Sequence, residues 1–152
     1  MDIKKFYSLN VSQANVPIIT KLNDILKISK NIRYLESNID QWTIKEAYCF
    51  YQTMYLHFVT TSIVYSYDFK SNTIYILKGK NQVQSILFLI NDDYEVPLSL
   101  FGEEDDNKLY KFSELPFNIK HRLYNTMGIF YNIKQYEETS YSNIMNELLR
   151  YS

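Results

Sequence analysis

The sequence predicts an α+β fold in which two N-terminal and two C-terminal helices pack on a four- to five-stranded antiparallel meander sheet. Three observations predict this class. Apolar residues recur at helical spacing near both ends of the chain, they alternate with polar residues in the middle, and turn-forming segments divide that middle region. The 152 residues are 46% hydrophobic and 22% charged, so we expect one globular domain covering residues 1–152.

The first helix is predicted over residues 16–35. Asn15 is a residue type that caps helices, and Pro17 is favoured in a first helical turn. The apolar residues that follow share one face of such a helix, at spacings of three, four and seven: Ile18, Leu22, Ile25, Ile32 and Leu35.

The second helix is predicted to begin at a capping box, in which the Thr43 and Glu46 side chains each accept from the other residue's backbone N–H. Aromatic and aliphatic residues then recur on nearly all sides as far as Phe58, which predicts burial on more than one side. In this interpretation Cys49 is a small packing residue rather than a nucleophile, and His57 is a core histidine.

The meander is predicted from the middle of the chain. Residues 59–69 alternate in polarity and are rich in β-branched and aromatic types, as a half-buried strand is. Residues 70–72 are predicted as a turn and residues 73–78 as the next strand. Residues 83–90 are apolar on both faces and are predicted to form a central strand. Residues 94–101 are predicted to form an edge or bulged strand, because Pro97 cannot donate to a ladder.

The remaining elements follow from shorter signals. Residues 108–112 are predicted as a fifth strand and residues 113–127 as a helix that ends at a Gly128 cap. Residues 129–133 have the composition of a short strand, and residues 141–151 have the spacing of a final amphipathic helix.

Composition argues against several classes of site. Three glycines form neither a P-loop nor a dinucleotide fingerprint, and no His or Cys pair has metal-ligand spacing, so we expect no cofactor and no metal. One cysteine and the lack of an apolar signal core predict a bacterial or host-cell cytoplasm. The sequence contains no apolar run long enough to predict a membrane span. Abundant Tyr, Ile, Asn and Lys indicate an AT-rich bacterial, phage or viral genome.

The candidate site is an acidic segment. Between residues 91 and 114 there are eight acidic side chains and only two lysines. The acids would steer a basic protein partner, and neighbouring aromatics would anchor it. The candidate partner-binding residues are Asp92, Asp93, Tyr94, Glu95, Phe101, Glu103, Glu104, Asp105, Asp106 and Tyr110. The alternative interpretation is that these acids only keep the protein soluble and protect an edge strand.

The function expected from these features is that of a small non-enzymatic protein that inhibits a partner by occluding it, as immunity proteins, antitoxins and viral or phage anti-defence factors do. A first alternative is a single-stranded nucleic-acid binder that stacks bases on Tyr65, Tyr67 and Tyr75, although a net charge of −1 disfavours this. A second is a nuclease or hydrolase that uses His57 and His121. The sequence leaves open a homo-oligomer.

Overall fold

The computed structural model describes residues 11–29, 31–36, 39–58 and 61–134. Within these ranges the α+β character is confirmed, with four helices and a mixed five-stranded sheet beside a two-stranded ladder. The helices are α1 Ile18–Ile28, α2 Ile44–Leu56, α3 Lys80–Ile90 and α4 Phe117–Tyr124. The strands are β1 Val11–Pro17, β2 Asn31–Tyr34, β3 Thr61–Asp68, β4 Thr73–Lys78, β5 Val96–Pro97, β6 Leu109–Tyr110 and β7 Met127–Ile133. None of these helices is long and apolar enough to cross a bilayer.

The predicted antiparallel meander, with two helices before it and two after it, is wrong. The sheet order is β1-β7-β3-β4-β2, and helices alternate with strands along the chain. Within this sheet only the β3–β4 pair is formed by consecutive strands; β7 is parallel to β3, and β2 is parallel to β4. Parallel neighbours need long crossover connections, so the pairing depends on segments far apart in sequence.

All four described helices contribute to a core on one face of the sheet. The strand residues in this core are Ile63, Tyr65, Ile74, Ile76 and Phe130, each at most 5% exposed. The opposite face carries a smaller buried cluster formed by Val64, Tyr75, Leu77 and Ile133. The two sets occupy alternate positions of β3, β4 and β7, as the period of a β-strand requires.

The predicted strand over residues 83–90 is a helix, α3. Val83, Ile86 and Leu89 are buried at spacings of three, and the apolar residues between them are half-buried. A short run that is apolar on every side has no clear period, so the pattern alone does not separate a buried strand from a buried helix.

The first predicted helix is wrong at both ends. Asn15 and Pro17 belong to β1, and α1 ends at Ile28. The chain then forms β2, in which Ile32 and Tyr34, two positions apart, pack against the core. Ile32 reaches the core as a strand residue, because β2 pairs with β4. Its helical spacing from the residues of α1 was therefore coincidental.

The C-terminal part of the described chain is also rearranged. The helix expected over residues 113–127 is confined to α4, Phe117–Tyr124, after a 3-10 turn at Phe112–Glu114. Gly128 is not a helix cap but lies in β7, the longer form of the strand predicted over residues 129–133. The helix predicted over residues 141–151 lies outside the described residues.

Helix α2 begins as predicted but packs on one side only. The capping box is confirmed, because Glu46 N–H donates to Thr43 Oγ1 and Thr43 N–H donates to Glu46 Oε1, both at 3.3 Å. Ala47, Tyr51 and Met54 form the buried face. Cys49, His57 and Phe58 are exposed, so the predicted buried roles of the cysteine and the histidine are wrong.

Candidate partner-binding surface

The candidate residues lie on the segment that connects α3 to α4. The N–H groups of Asp93 and Tyr94 both donate to the carbonyl of Phe88, at 2.8 and 3.0 Å, and the rings of Tyr94 and Phe88 lie 4.8 Å apart. Strands β5 and β6 then pair antiparallel, with Val96 opposite Tyr110. The eight-residue strand predicted over residues 94–101 is reduced to β5 and a 3-10 turn at Leu98–Phe101.

Helix α2 contacts the hairpin formed by β5, β6 and the residues between them. The hydroxyl of Tyr48 donates to the carbonyl of Glu95 at 2.6 Å, and the amide of Gln52 donates to the carbonyl of Leu100 at 3.2 Å. Phe101 is 3% exposed, and its ring lies 5.1 Å from that of Tyr55 in an edge-on contact. Phe101 therefore anchors the hairpin to α2 from inside.

Three of the candidate acids accept hydrogen bonds from backbone N–H groups of the segment between α3 and α4. Asp92 accepts from the N–H and hydroxyl of Ser113 at 3.1 and 2.9 Å. Asp105 accepts from the N–H of Asn107 at 2.9 Å. Asp106 accepts from the N–H of Lys108 at 3.1 Å and from the hydroxyl of Tyr110. The Asp105 and Asp106 contacts, each to the N–H two residues on, form Asx-type turns in the loop before β6. The Asp92 contact instead joins the residues after α3 to the 3-10 turn at Phe112–Glu114.

The same contacts shift the pKa values of the groups involved. Hydrogen bonds from Ser113 lower the pKa of Asp92. The hydroxyl of Tyr110 lowers the pKa of Asp106, and Asp106 in turn raises the pKa of Tyr110. A carboxylate that accepts hydrogen bonds is favoured in its charged form, so Asp92 and Asp106 remain ionised at neutral pH.

The other candidate acids face solvent. Asp93, Glu95, Glu103 and Glu104 are exposed, and no side-chain hydrogen bond to another described residue holds them. On the same segment, Leu109 of β6 is 56% exposed, whereas Tyr94 and Tyr110 are half-buried. The sequence analysis missed Leu109, and the available signal was an apolar residue three positions after Asp106. We call Asp93, Glu95, Glu103, Glu104 and Leu109 the acidic surface.

The two histidines differ in environment. His57 follows α2 in the left-handed region, with φ of 57°, and its Nε2 lies 3.3 Å from the carbonyl oxygen of Arg122. His121 stacks on Phe117, with ring centroids 5.5 Å apart, and its Nε2 contacts the amide of Asn125. Both side chains are exposed, and they share no hydrogen-bond partner in the described chain.

The tyrosines of the proposed stacking platform lie on different faces of the sheet. Tyr65 is 5% exposed in the core beneath the helices, and Tyr75 is 4% exposed in the cluster on the opposite face. Tyr67 is half-buried. No group of three or more metal-ligating side chains converges among the residues that the structure describes.

Comparison with known proteins identifies no relative, because no protein-family model, curated protein or solved structure matches the chain.

Proposed function

We propose that this protein is a small non-enzymatic inhibitor that binds a partner protein with a basic surface and occludes it. The observation that supports this is the acidic surface, in which four exposed carboxylates and the exposed Leu109 lie on one segment that is held to α2 and α3. The carboxylates would steer a basic partner, and desolvation of Leu109 would supply apolar contact. Immunity proteins, antitoxins and phage or viral anti-defence factors act in this way.

The difference between the acids that accept backbone hydrogen bonds and those that face solvent also supports the proposal. Asp92, Asp105 and Asp106 hold the backbone, so the exposed acids are displayed on a frame that does not have to be ordered on binding. A surface that is already ordered loses less conformational entropy when a partner binds. The proposal places the protein in the cytoplasm, where an exposed thiol such as Cys49 stays reduced.

The test starts with affinity capture from the native host, followed by kinetics on the captured partner. The variant Glu103→Gln/Glu104→Gln removes two exposed charges and keeps the acids that hold the loop. The control, Asp24→Asn/Asp40→Asn, removes two exposed charges outside the hairpin. We expect the first variant to lower the association rate about tenfold at low salt, with a weaker dependence on ionic strength.

The control should associate at the wild-type rate. An association rate that both double variants leave unchanged contradicts the proposal. A captured partner with an acidic contact surface also contradicts it.

A further inference from the structure

A groove of about 900 Å³ lies between α1 and the carboxyl-terminal ends of β3 and β7. Its apolar walls come from Ile25 and Ile28 of α1, Tyr65 and Tyr67 of β3, and Ile133 of β7. Sites for small molecules typically measure roughly 300–1,000 Å³ and are lined mainly by apolar side chains. No residue of the acidic surface lines this groove, so the two features are independent.

The groove exposes large apolar side chains. Phe69 is 84% exposed and Ile28 is 57% exposed, and both line the same cavity. The ring of Phe69 packs edge-on against that of Tyr67, with centroids 4.6 Å apart. Single exposed apolar residues are ordinary on protein surfaces, but two that border one apolar concavity indicate a surface that a ligand covers.

The hydroxyl of Tyr67 bridges two elements that border this groove. It donates to the carbonyl of Ile28 at 3.0 Å and also contacts the side-chain amide of Asn72. Ile28 is the last residue of α1, where carbonyl groups lack a partner within the helix. The hydroxyl therefore joins the end of α1 to the central sheet strand and to the β3–β4 turn, which leaves the groove pre-formed.

The charged side chains around the groove favour an anion. Three lysines line it, namely Lys21, Lys70 and Lys134, against two carboxylates, Asp24 and Asp68. Asp68 is already engaged, because it accepts from the N–H of Lys70 at 3.0 Å and from the hydroxyl of Ser71 at 2.7 Å. The ammonium of Lys21 lies 5.9 Å from the centre of the Tyr65 ring, so a positive charge borders the apolar wall.

We propose that this groove binds a free long-chain carboxylate. The apolar chain would lie between Ile28 and Phe69 and cover both, and the carboxylate would pair with Lys21. An ammonium beside an apolar wall matches the junction between the head and the chain of such a molecule. A cationic amphiphile of the same length would bury the same apolar surface but would meet like charge at the head.

The direct test is calorimetric titration of the full chain with dodecanoate and with dodecyltrimethylammonium, both kept monomeric. These probes share the chain and differ in the sign of the head group. We expect saturable one-to-one binding of dodecanoate, and binding of the cation that is weaker by about tenfold or more, since one charge-assisted contact is replaced by repulsion.

Matched variants locate the site. Phe69→Asp places a carboxylate at the groove, and Phe117→Asp is its control, because Phe117 is 78% exposed and lies outside the groove. Lys21→Gln removes the proposed head-group partner, and Lys45→Gln is the control on α2. We expect both groove variants to bind dodecanoate about tenfold more weakly, with both controls unchanged. Circular dichroism checks folding, and Ile28→Ser replaces Phe69→Asp if that variant unfolds.

Three results would overturn the proposal. The first is no saturable binding of dodecanoate to the folded protein. The second is equal affinity for the anionic and cationic probes. The third is sedimentation with phosphatidylglycerol vesicles in the absence of dodecanoate binding, which would assign the groove to a membrane surface rather than to a free carboxylate.

Discussion

The carboxylate of Glu36 accepts a hydrogen bond from the backbone N–H of Gly79 at 2.6 Å and a second from that of Lys80 at 3.0 Å. Gly79 precedes the first turn of α3, where N–H groups lack partners within the helix and the helix dipole favours negative charge. Glu36 is 6% exposed and follows β2. This contact therefore ties an edge strand of the sheet to the start of a core helix.

Replacing Glu36 with alanine should lower the free energy of unfolding by about 2–3 kcal/mol, because it leaves two N–H groups without their charged acceptor. Glu36→Gln keeps an acceptor oxygen and should cost less. Urea denaturation measures both. Glu46→Ala, at the exposed capping box of α2, is the control and should cost about 1 kcal/mol. A Glu36→Ala variant no less stable than the control would show that the contact is not structural.

Gly128 leaves no room for a side chain. A Cβ at this position would lie 2.5 Å from Cγ1 and 2.9 Å from Cδ1 of Ile18, which is fully buried. Gly128→Ala should therefore destabilise the protein by about 1–3 kcal/mol through overpacking. Thermal or urea unfolding measures the loss.

The double variant Gly128→Ala/Ile18→Ala isolates this clash. Ile18→Ala alone should be destabilising because it opens a cavity, but it also removes the two nearest atoms that a Cβ at position 128 would meet and leaves only the Thr61 carbonyl oxygen, at 3.2 Å. The double variant should then lose clearly less stability than the sum of the two single variants. If the losses of stability in the two single variants simply add in the double variant, the cost of Gly128→Ala does not arise from its contact with Ile18.

Lowering the pH should destabilise the protein by protonating Asp92, whose carboxylate accepts hydrogen bonds from Ser113. Hydrogen bonds from Ser113 hold the pKa of this carboxyl below its usual 3.8. A group with a lowered folded-state pKa stabilises the fold above its unfolded pKa, and that contribution is lost as the pH falls through the folded value. The wild-type melting temperature should therefore fall between neutral pH and about pH 3 by more than that of Asp92→Asn.

Asp93→Asn serves as the control for this pH dependence, since Asp93 is exposed and its side chain accepts no hydrogen bond from a described residue. It should keep the wild-type profile. Asp68 and Asp106 also have lowered pKa values because of their hydrogen bonds, so Asp92→Asn should reduce the acid sensitivity without abolishing it. Identical profiles for wild type and Asp92→Asn would refute the assignment.

Tyr67→Phe should destabilise the protein by about 1 kcal/mol, because it removes the hydroxyl that joins Ile28 to the β3–β4 turn and keeps the ring. Chemical denaturation measures the change. Tyr124→Phe is the matched control, because the Tyr124 ring is 40% exposed and contacts Phe112 without a side-chain hydrogen bond to a described residue. Equal stabilities of the two variants would contradict the bridging role of Tyr67.

Local signals in the chain were enough to place three elements. The capping box at Thr43 and Glu46 marks the start of α2, since both partners lie within one turn. The segments that became β3 and β4 were recognised with nearly correct bounds, because the alternating polarity of residues 59–69 and the turn residues at 70–72 are local features of the chain. The short turn between them made the hairpin predictable.

The candidate surface could be predicted only in outline. Its acidic composition is visible along the chain, but the separation of Asp92 and Asp106 from Glu103 and Glu104 depends on hydrogen bonds within folded loops. Phe101 was expected to be an anchor for a partner, and its position against Tyr55 came from the packing of the hairpin on α2. The groove combines α1, β3 and β7, and no local pattern brings those segments together.

Composition and local periodicity thus established the α+β character, the second helix and the central hairpin, because each depends on residues a few positions apart. Tertiary contacts decided the remainder. Residues 80–90 became a helix whose first turn is capped by Glu36, and Gly128 entered a strand between β1 and β3. Strand partners and helix caps that lie far apart in sequence are selected by the free energy of the whole core, which no single segment encodes.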